Sequence, residues 1–182
     1  MKKIVFVLTV VFTISTLNLM AQKDGYKVQK KSEITQPFKK QDADHFWGIG
    51  SSIADLDGTA ISAARIMAEG QISESIEVKI KTGVQSYLKA KGAKLKSQKD
   101  LDNLVLAISN NIISGITSAG LQLYYNKKEA MYKCELQLKL NKEEALKKAV
   151  EEAAAEEQLR LDFDKETFKK SLEKEWDKLE DN

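Results

Sequence analysis

The stretch 45–84 has the strongest periodic signals in the chain and places the tightest limits on its fold. Residues 46–53 form a short apolar and aromatic run interrupted by Gly48 and Gly50, which is typical of a buried strand that another backbone approaches closely. The apolar residues that follow are spaced three or four apart and predict a helix; its buried stripe would be Ile61, Ala64, Ala68, Ile72 and Ile76.

The same stretch predicts a helix cap and a second strand. Asp55 and Asp57 stand where they would cap the N terminus of the helix. From about Ser75 the period changes to two, which predicts a half-buried strand over 76–84 with a solvated outer face. The apolar side of this strand would comprise Ile76, Val78, Ile80, Thr82 and Val84.

The rest of the chain predicts a second helix, a β-hairpin and two more helices. Ser97 and Asp100 resemble a capping box, and Asn141 and Asp164 are predicted caps of the last two helices. The hairpin turns at 126–129. Its return strand has a strict alternation of apolar and polar residues, with the apolar positions Tyr132, Cys134, Leu136, Leu138 and Leu140.

The element order β-α-β-α-β-β-α-α predicts an α+β fold, with a largely antiparallel sheet and helices packed on one of its faces. Residues 45–182 read as a single domain whose C-terminal helical region is 141–182, since no linker rich in proline or glycine divides them. The preceding segment, 22–44, is polar and rich in lysine, and we expect a flexible polar leader there.

Residues 1–21 read as a secretory signal peptide, with Lys2 and Lys3 before an apolar run and Ala21 at the cleavage point. A retained membrane helix is the alternative, because the apolar run approaches spanning length. The residue directly after Ala21 is Gln22 and not a cysteine, so no lipid anchor is expected. The predicted location is the periplasm or the cell surface, and the lysines of 22–44 leave peripheral membrane contact open.

The charge balance argues against a nucleic-acid partner. The chain has 29 Lys+Arg and 27 Asp+Glu. Removal of Lys2 and Lys3 with the signal peptide leaves 29 − 2 = 27 cations against 27 anions. A nucleic-acid-binding domain normally carries a basic excess.

Residues for standard catalysis or metal binding are scarce. His45 is the single histidine and Cys134 the single cysteine, so neither a nucleophile–base pair nor a zinc cage is indicated. Gly48 and Gly50 lack the third glycine and the lysine of phosphate-binding loops. The sequence therefore predicts no catalytic, cofactor or metal site and no enzyme. The aromatic residues Phe168, Trp176, Tyr124 and Tyr125 are the candidate interaction surface.

Two stretches resemble a known family. Residues 46–76, FWGIGSSIADLDGTAISAARIMAEGQISESI, are similar to the central motif of small bacterial envelope lipoproteins typified by Lpp-twenty, in which a Gly-x-Gly strand leads into an alanine-spaced helix. Residues 108–140 resemble the closing hairpin of that family. Related domains occur in a flagellar assembly protein of the T type and in a secreted cytokine-inducing toxin. The family's lipobox cysteine is missing here.

The resemblance implies an envelope protein with an α+β domain and no assigned catalysis. Together with the predicted export, it leads us to expect a non-enzymatic protein that acts by association with itself or with another envelope protein. The alternative is a periplasmic binding module that holds a small or lipidic ligand between the sheet and the helices.

Overall fold

The structure is a computed structural model of the 182-residue chain, and it describes residues 25–28, 35–92, 97–156 and 163–177. The predicted signal peptide, residues 1–21, lies outside the described residues. The elements in chain order are β1 Lys27–Val28, β2 His45–Ala54, α1 Asp57–Lys91, α2 Gln98–Ile113, β3 Thr117–Asn126, β4 Met131–Asn141, α3 Lys142–Ala155 and α4 Lys165–Asp177.

The strands form one antiparallel sheet in the order β1-β3-β4-β2. Its central pair is the predicted hairpin of β3 and β4. β2 pairs with β4 over its whole length, from His45 opposite Asn141 to Ala54 opposite Tyr132. The predicted α+β fold, with a largely antiparallel sheet and a C-terminal helical region, is confirmed.

The prediction of a strand at 76–84 is wrong. These residues continue α1, which is 35 residues long. Ile76, Ile80 and Val84 are fully buried on one side of this helix. Residues spaced by four fit both a strand, with its period of two, and a helix, with its turn of 3.6 residues. Val78 distinguishes the two, since a strand would bury it beside Ile76, whereas it is 61% exposed.

Most of the predicted helix caps are confirmed. The side chains of Ser97, Asn141 and Asp164 each accept a hydrogen bond from the backbone N–H three residues later. For α1 the predicted capping by an aspartate is wrong. Leu56 occupies the N-cap position without a side-chain bond, and Asp57 is the first helical residue.

Gly48 and Gly50 mark the place where α1 crosses the sheet. A Cβ on Gly48 would overlap the backbone carbonyl oxygen of Ala68, and a Cβ on Gly50 would overlap that of Ala64. The helix can approach the strand this closely because all four residues have little or no side chain at the crossing. This confirms the close backbone approach expected from the glycines.

The core lies between the helices and the inner face of the sheet, which carries Cys134, Leu136, Leu138 and Leu140 of β4. α4 closes one end of it by packing on α1. The ammonium of Lys79, on α1, donates to the carbonyl oxygens of Glu175 at 3.4 Å and of Trp176 at 3.0 Å, near the C terminus of α4. A cation is favourable there because the last carbonyl groups of a helix lack intrahelical partners.

The segment 22–44, predicted as a flexible leader, contacts the sheet at both of its described parts. β1 pairs with β3 at Tyr124 and Tyr125. Farther along, Gln36 exchanges both backbone hydrogen bonds with Leu121, at 2.8 and 2.9 Å. The described parts of this segment therefore lie along the edge of β3 that does not pair with β4.

Residues 35–44, which we call the strap, then cross the outer face of the sheet, remote from the helices. Phe38 lies over Gly120, where a Cβ would collide with it. The backbone N–H and C=O of Lys39 bond to the side-chain amide of Gln137 at 2.8 and 3.0 Å. The expectation of a flexible leader is thus corrected for these residues, because one amide side chain supplies both the acceptor and the donor that the strap backbone needs.

Candidate functional site

The aromatic residues predicted as an interaction surface on α4 face their own core. Phe168 is fully buried and meets Tyr87 edge-to-face, with ring centroids 5.4 Å apart. Trp176 is buried and meets Phe46 of β2 in the same way at 5.2 Å. α4 therefore uses its apolar face to cover α1 and β2 of its own chain, and this part of the surface prediction needs correction.

The other two predicted residues, Tyr124 and Tyr125, are also engaged within the chain. Tyr124 is buried on the outer face of the sheet, where Tyr26 packs against it. Tyr125 is half-buried, and its ring lies 4.7 Å from that of Tyr132. The structure therefore does not bring the four aromatic residues together on one exposed surface.

A polar cluster lies beneath the N-terminal segment on the outer face. The Tyr124 hydroxyl donates to the carboxylate of Glu135 at 3.1 Å, and the Lys133 ammonium is 2.9 Å from the other carboxylate oxygen. Burial and the negative charge of Glu135 raise the pKa of Tyr124 above its ordinary value, so the phenol stays protonated and donates. A buried carboxylate requires partners of this kind, so the cluster has a structural role.

His45 is held on both sides of its ring at the start of β2. Its Nδ1 is 2.6 Å from a carboxylate oxygen of Asp42, and its Nε2 is 3.2 Å from Nζ of Lys139. The hydrogen bond with His45 lowers the pKa of Asp42. In addition, the indole N–H of Trp47 donates to the backbone carbonyl of Asp42 at 3.0 Å. These contacts anchor the end of the strap to the first residues of β2.

The second edge of the sheet is β2. Alternate residues of this strand form hydrogen bonds with β4, so Ile49, Ser51 and Ile53 direct their backbone N–H and C=O groups outward. The N–H of Ile49 donates to the side chain of Gln71 on α1 at 2.9 Å. Within the described ranges, no partner is found for the outward backbone groups of Ser51 and Ile53.

The side chains beside this edge are apolar and exposed. Ile53 is 54% exposed, and Leu56, at the end of the strand, is 62% exposed. Met67 is 53% exposed and lies one helical turn before Gln71, on the side of α1 that faces the edge. We call the backbone of Ser51 and Ile53, with the side chains of Ile53, Leu56 and Met67, the β2 edge.

The β2 edge lacks the features that usually protect an edge strand. Natural edges carry lysines, prolines, bulges or a covering loop that prevents another strand from pairing. β2 contains no Asp, Glu, Lys, Arg or Pro in its ten residues. Such an edge can add a strand from another chain, which would be held by main-chain hydrogen bonds.

Sequence reasoning did not identify this surface, although one signal was present. The pattern predicts β2 but does not show that β2 lies at the edge. Ile66 and Met67 fall outside the buried stripe of α1, and both are more than half exposed. Two large apolar residues on the polar side of an amphipathic helix are a sign of a contact surface.

A groove of about 740 Å³ lies between α3 and α4. Leu146, Val150 and Trp176 supply its apolar lining. Lysines and glutamates form the rest of its walls: Lys142, Lys147, Lys165, Lys169, Glu143, Glu144, Glu151 and Glu173. The ligand-binding alternative places its ligand between the sheet and the helices, and this groove lies outside that interface.

In the part of the chain that the structure describes, no group of three or more His, Cys, Asp or Glu side chains is arranged to hold a metal ion. Among the same residues, no helix combines the length and the apolar character needed to cross a membrane. No protein-family profile, curated protein or solved structure matches this chain. The resemblance to the Lpp-twenty family therefore stays a prediction.

Proposed function

We propose that this protein is an exported, non-enzymatic protein of the cell envelope that acts by protein association, and that the β2 edge is its contact surface. The observation that carries the proposal is the open, uncharged edge of β2 with exposed apolar side chains beside it. Export rests on the sequence features of residues 1–21.

The experiment is crosslinking in the cell with a photoreactive residue at Ile53, followed by mass spectrometry of the envelope fraction. A matched probe at Lys170, on the exposed side of α4, reports non-specific neighbours. We expect one reproducible crosslinked product at Ile53 that is absent at Lys170. Equal products at both positions would contradict the assignment of this edge.

A proline at residue 51 makes the test specific for strand addition. The N–H of Ser51 points outward, so Ser51→Pro removes a donor from the open edge without removing a bond to β4. Ser51→Ala keeps the donor and is the control. The Ile53 crosslink should disappear with Ser51→Pro and persist with Ser51→Ala, with both variants in the same envelope fraction as the parent.

The groove between α3 and α4 favours a second function, the binding of a small amphipathic or lipidic anion. Its apolar lining would contact an acyl chain, and its lysines would meet a carboxylate. In a Trp47→Phe variant the remaining indole is Trp176, which lines the groove. Titration with oleate should then change its fluorescence saturably, and Val150→Arg should abolish the change. A response unaffected by Val150→Arg would contradict the groove as the site.

A further inference from the structure

We infer that the β2 edge pairs with the β2 edge of a second copy of this chain, antiparallel, about a two-fold axis beside Ser52. The inference rests on the proposed function and names the partner of the same surface. The pairing would join two four-stranded sheets into one continuous sheet across the dimer.

The opposite edge of the sheet is already occupied, which restricts how copies can pair. β1 and Gln36 take up the free edge of β3 at Tyr124, Tyr125 and Leu121. A head-to-tail contact, with β2 of one copy on β3 of the next, would have to displace this segment. Pairing of β2 with β2 requires no displacement and closes after two copies, as isologous interfaces do.

The register follows from which backbone groups are open. Gln71 already satisfies the N–H of Ile49, whereas the groups of Ser51 and Ile53 lack partners among the described residues. Placing Ser51 opposite Ile53 of the second copy satisfies both residues in each chain. In this register Ile49 falls opposite Asp55, beyond the end of the strand, so its bond with Gln71 is kept.

Charge and side chains suit a copy of the same strand. β2 has no charged residue, so an identical strand brings no buried charge to the pair. The predicted mature chain has as many cations as anions, 27 of each, so repulsion between copies is weak. The pairing places the exposed Ile53 side chains of the two copies diagonally across the axis, where each loses contact with water.

The experiment uses two cysteine variants of the full mature chain, Ser51→Cys and Ile53→Cys, oxidised separately and as a mixture. Opposite residues of a hydrogen-bonded pair have Cα atoms about 5.5 Å apart, within the disulfide range of about 4.4–6.8 Å. Residues offset by two are about 7–8 Å apart. The proposed register predicts a disulfide-linked dimer in the mixture and no more than a trace in either variant alone.

The native Cys134 does not interfere. Its side chain is fully buried, and burial followed by the charge of Glu135 raises its pKa to about 11. Light scattering of the untagged parent should give twice the chain mass, and Ser51→Pro should reduce it to the chain mass while Ser51→Ala does not. Far-UV circular dichroism confirms that each variant is folded.

Several results would overturn the inference: a folded parent that stays monomeric at all concentrations, no disulfide in the mixture, or efficient linkage in one variant alone. These are distinguishable from failure of the proposed function. A monomeric parent that still crosslinks in the cell to a different protein at Ile53 refutes self-pairing and leaves the proposed function standing. If there is no Ile53-specific product in the cell either, both fail.

Discussion

At the scale of single residues, the approach of α1 to β2 depends on side chains that are absent. Gly50 of β2 lies directly under the carbonyl of Ala64 in α1. Gly70 is a residue of α1 itself, and a Cβ added there would meet no neighbouring atom. The two glycines therefore allow one chemical change to be tested in opposite environments.

We predict that Gly50→Ala destabilises the protein by about 1–3 kcal/mol or more, because the new methyl group meets helix backbone that cannot yield. Gly70→Ala should stabilise it by about 0.5–1 kcal/mol, since alanine favours a helix more than glycine does. Urea unfolding midpoints give both values. Equal effects of the two substitutions would contradict the close crossing at Gly50.

Asp164 is a cap whose contribution depends on pH. Its carboxylate accepts the backbone N–H of Thr167 at 3.0 Å and the ammonium of Lys91 at 2.9 Å. These bonds lower its pKa in the folded state below the ordinary value of 3.8. Its stabilisation is therefore complete above pH 3.8 and is lost as the pH falls below that value towards the folded-state pKa.

Asp164→Ala should lower the free energy of unfolding at neutral pH, and the difference from the parent should shrink as the pH falls below 3.8. Asn141→Ala is the control, because its cap does not titrate and its loss of about 0.5–2 kcal/mol should persist at every pH. Urea titrations over a pH series measure both. A difference for Asp164→Ala that stays constant with pH would refute the role of its charge.

At the scale of elements, the length of α1 organises the molecule. The first turns of this continuous helix cross β2, and α4 packs against its last turns. Gly83 is one position of this second contact, since a Cβ there would overlap Leu172. A helix broken near Ser75, with a strand after it, would leave α4 without this support.

The continuity of α1 predicts different effects for two neighbouring apolar residues. Ile76→Ala should cost about 2–5 kcal/mol, because Ile76 is fully buried. Val78→Ala should change stability by less than about 0.5 kcal/mol, because Val78 is on the exposed side of the helix. Denaturant unfolding measures the free energy of unfolding of both variants. A large decrease for Val78→Ala would favour a strand at 76–84.

At the scale of the whole molecule, the sheet has one edge covered by its own chain and one edge open. β1 and Gln36 lie along β3, and the strap crosses the outer face, where it buries Gln137 and lies over Gly120. Among the described bonds of the strap, those of Gln36 and Asp42 lie at its two ends, and the amide of Gln137 makes both bonds of Lys39 between them.

Gln137→Met should release the strap without unfolding the core. The amide protons of Gln36 and Lys39 should exchange faster with solvent, because the variant lacks the groups that hold Lys39. Gln122→Met is the control. Gln122 lies on β3, on the same face of the sheet as Gln137, and has no contact with the strap among the described bonds. Hydrogen exchange read by mass spectrometry tests this, and equal acceleration in β4 would show that the strap and the core open together.

The class of the fold could be predicted from sequence patterns, because local patterns decide local structure. The alternation in β4, the caps at Ser97, Asn141 and Asp164, and the glycines of β2 each have a short-range signature, and the structure has each of them. The residues from Ile76 to Val84 show the limit of such patterns, since a spacing of four fits both strand and helix.

Sequence patterns did not predict which strand is an edge, which aromatic residues are covered, or where β1 and the strap lie, because these features depend on the tertiary structure. Phe168 and Ile53 are both apolar residues on amphipathic elements, yet one is fully buried and the other is 54% exposed. The difference arises from long-range packing: α1 covers the apolar face of α4, whereas no described part of the chain bonds to the outward backbone groups of Ser51 and Ile53 in β2. Burial depends on residues distant in the chain, so local periodicity cannot specify it.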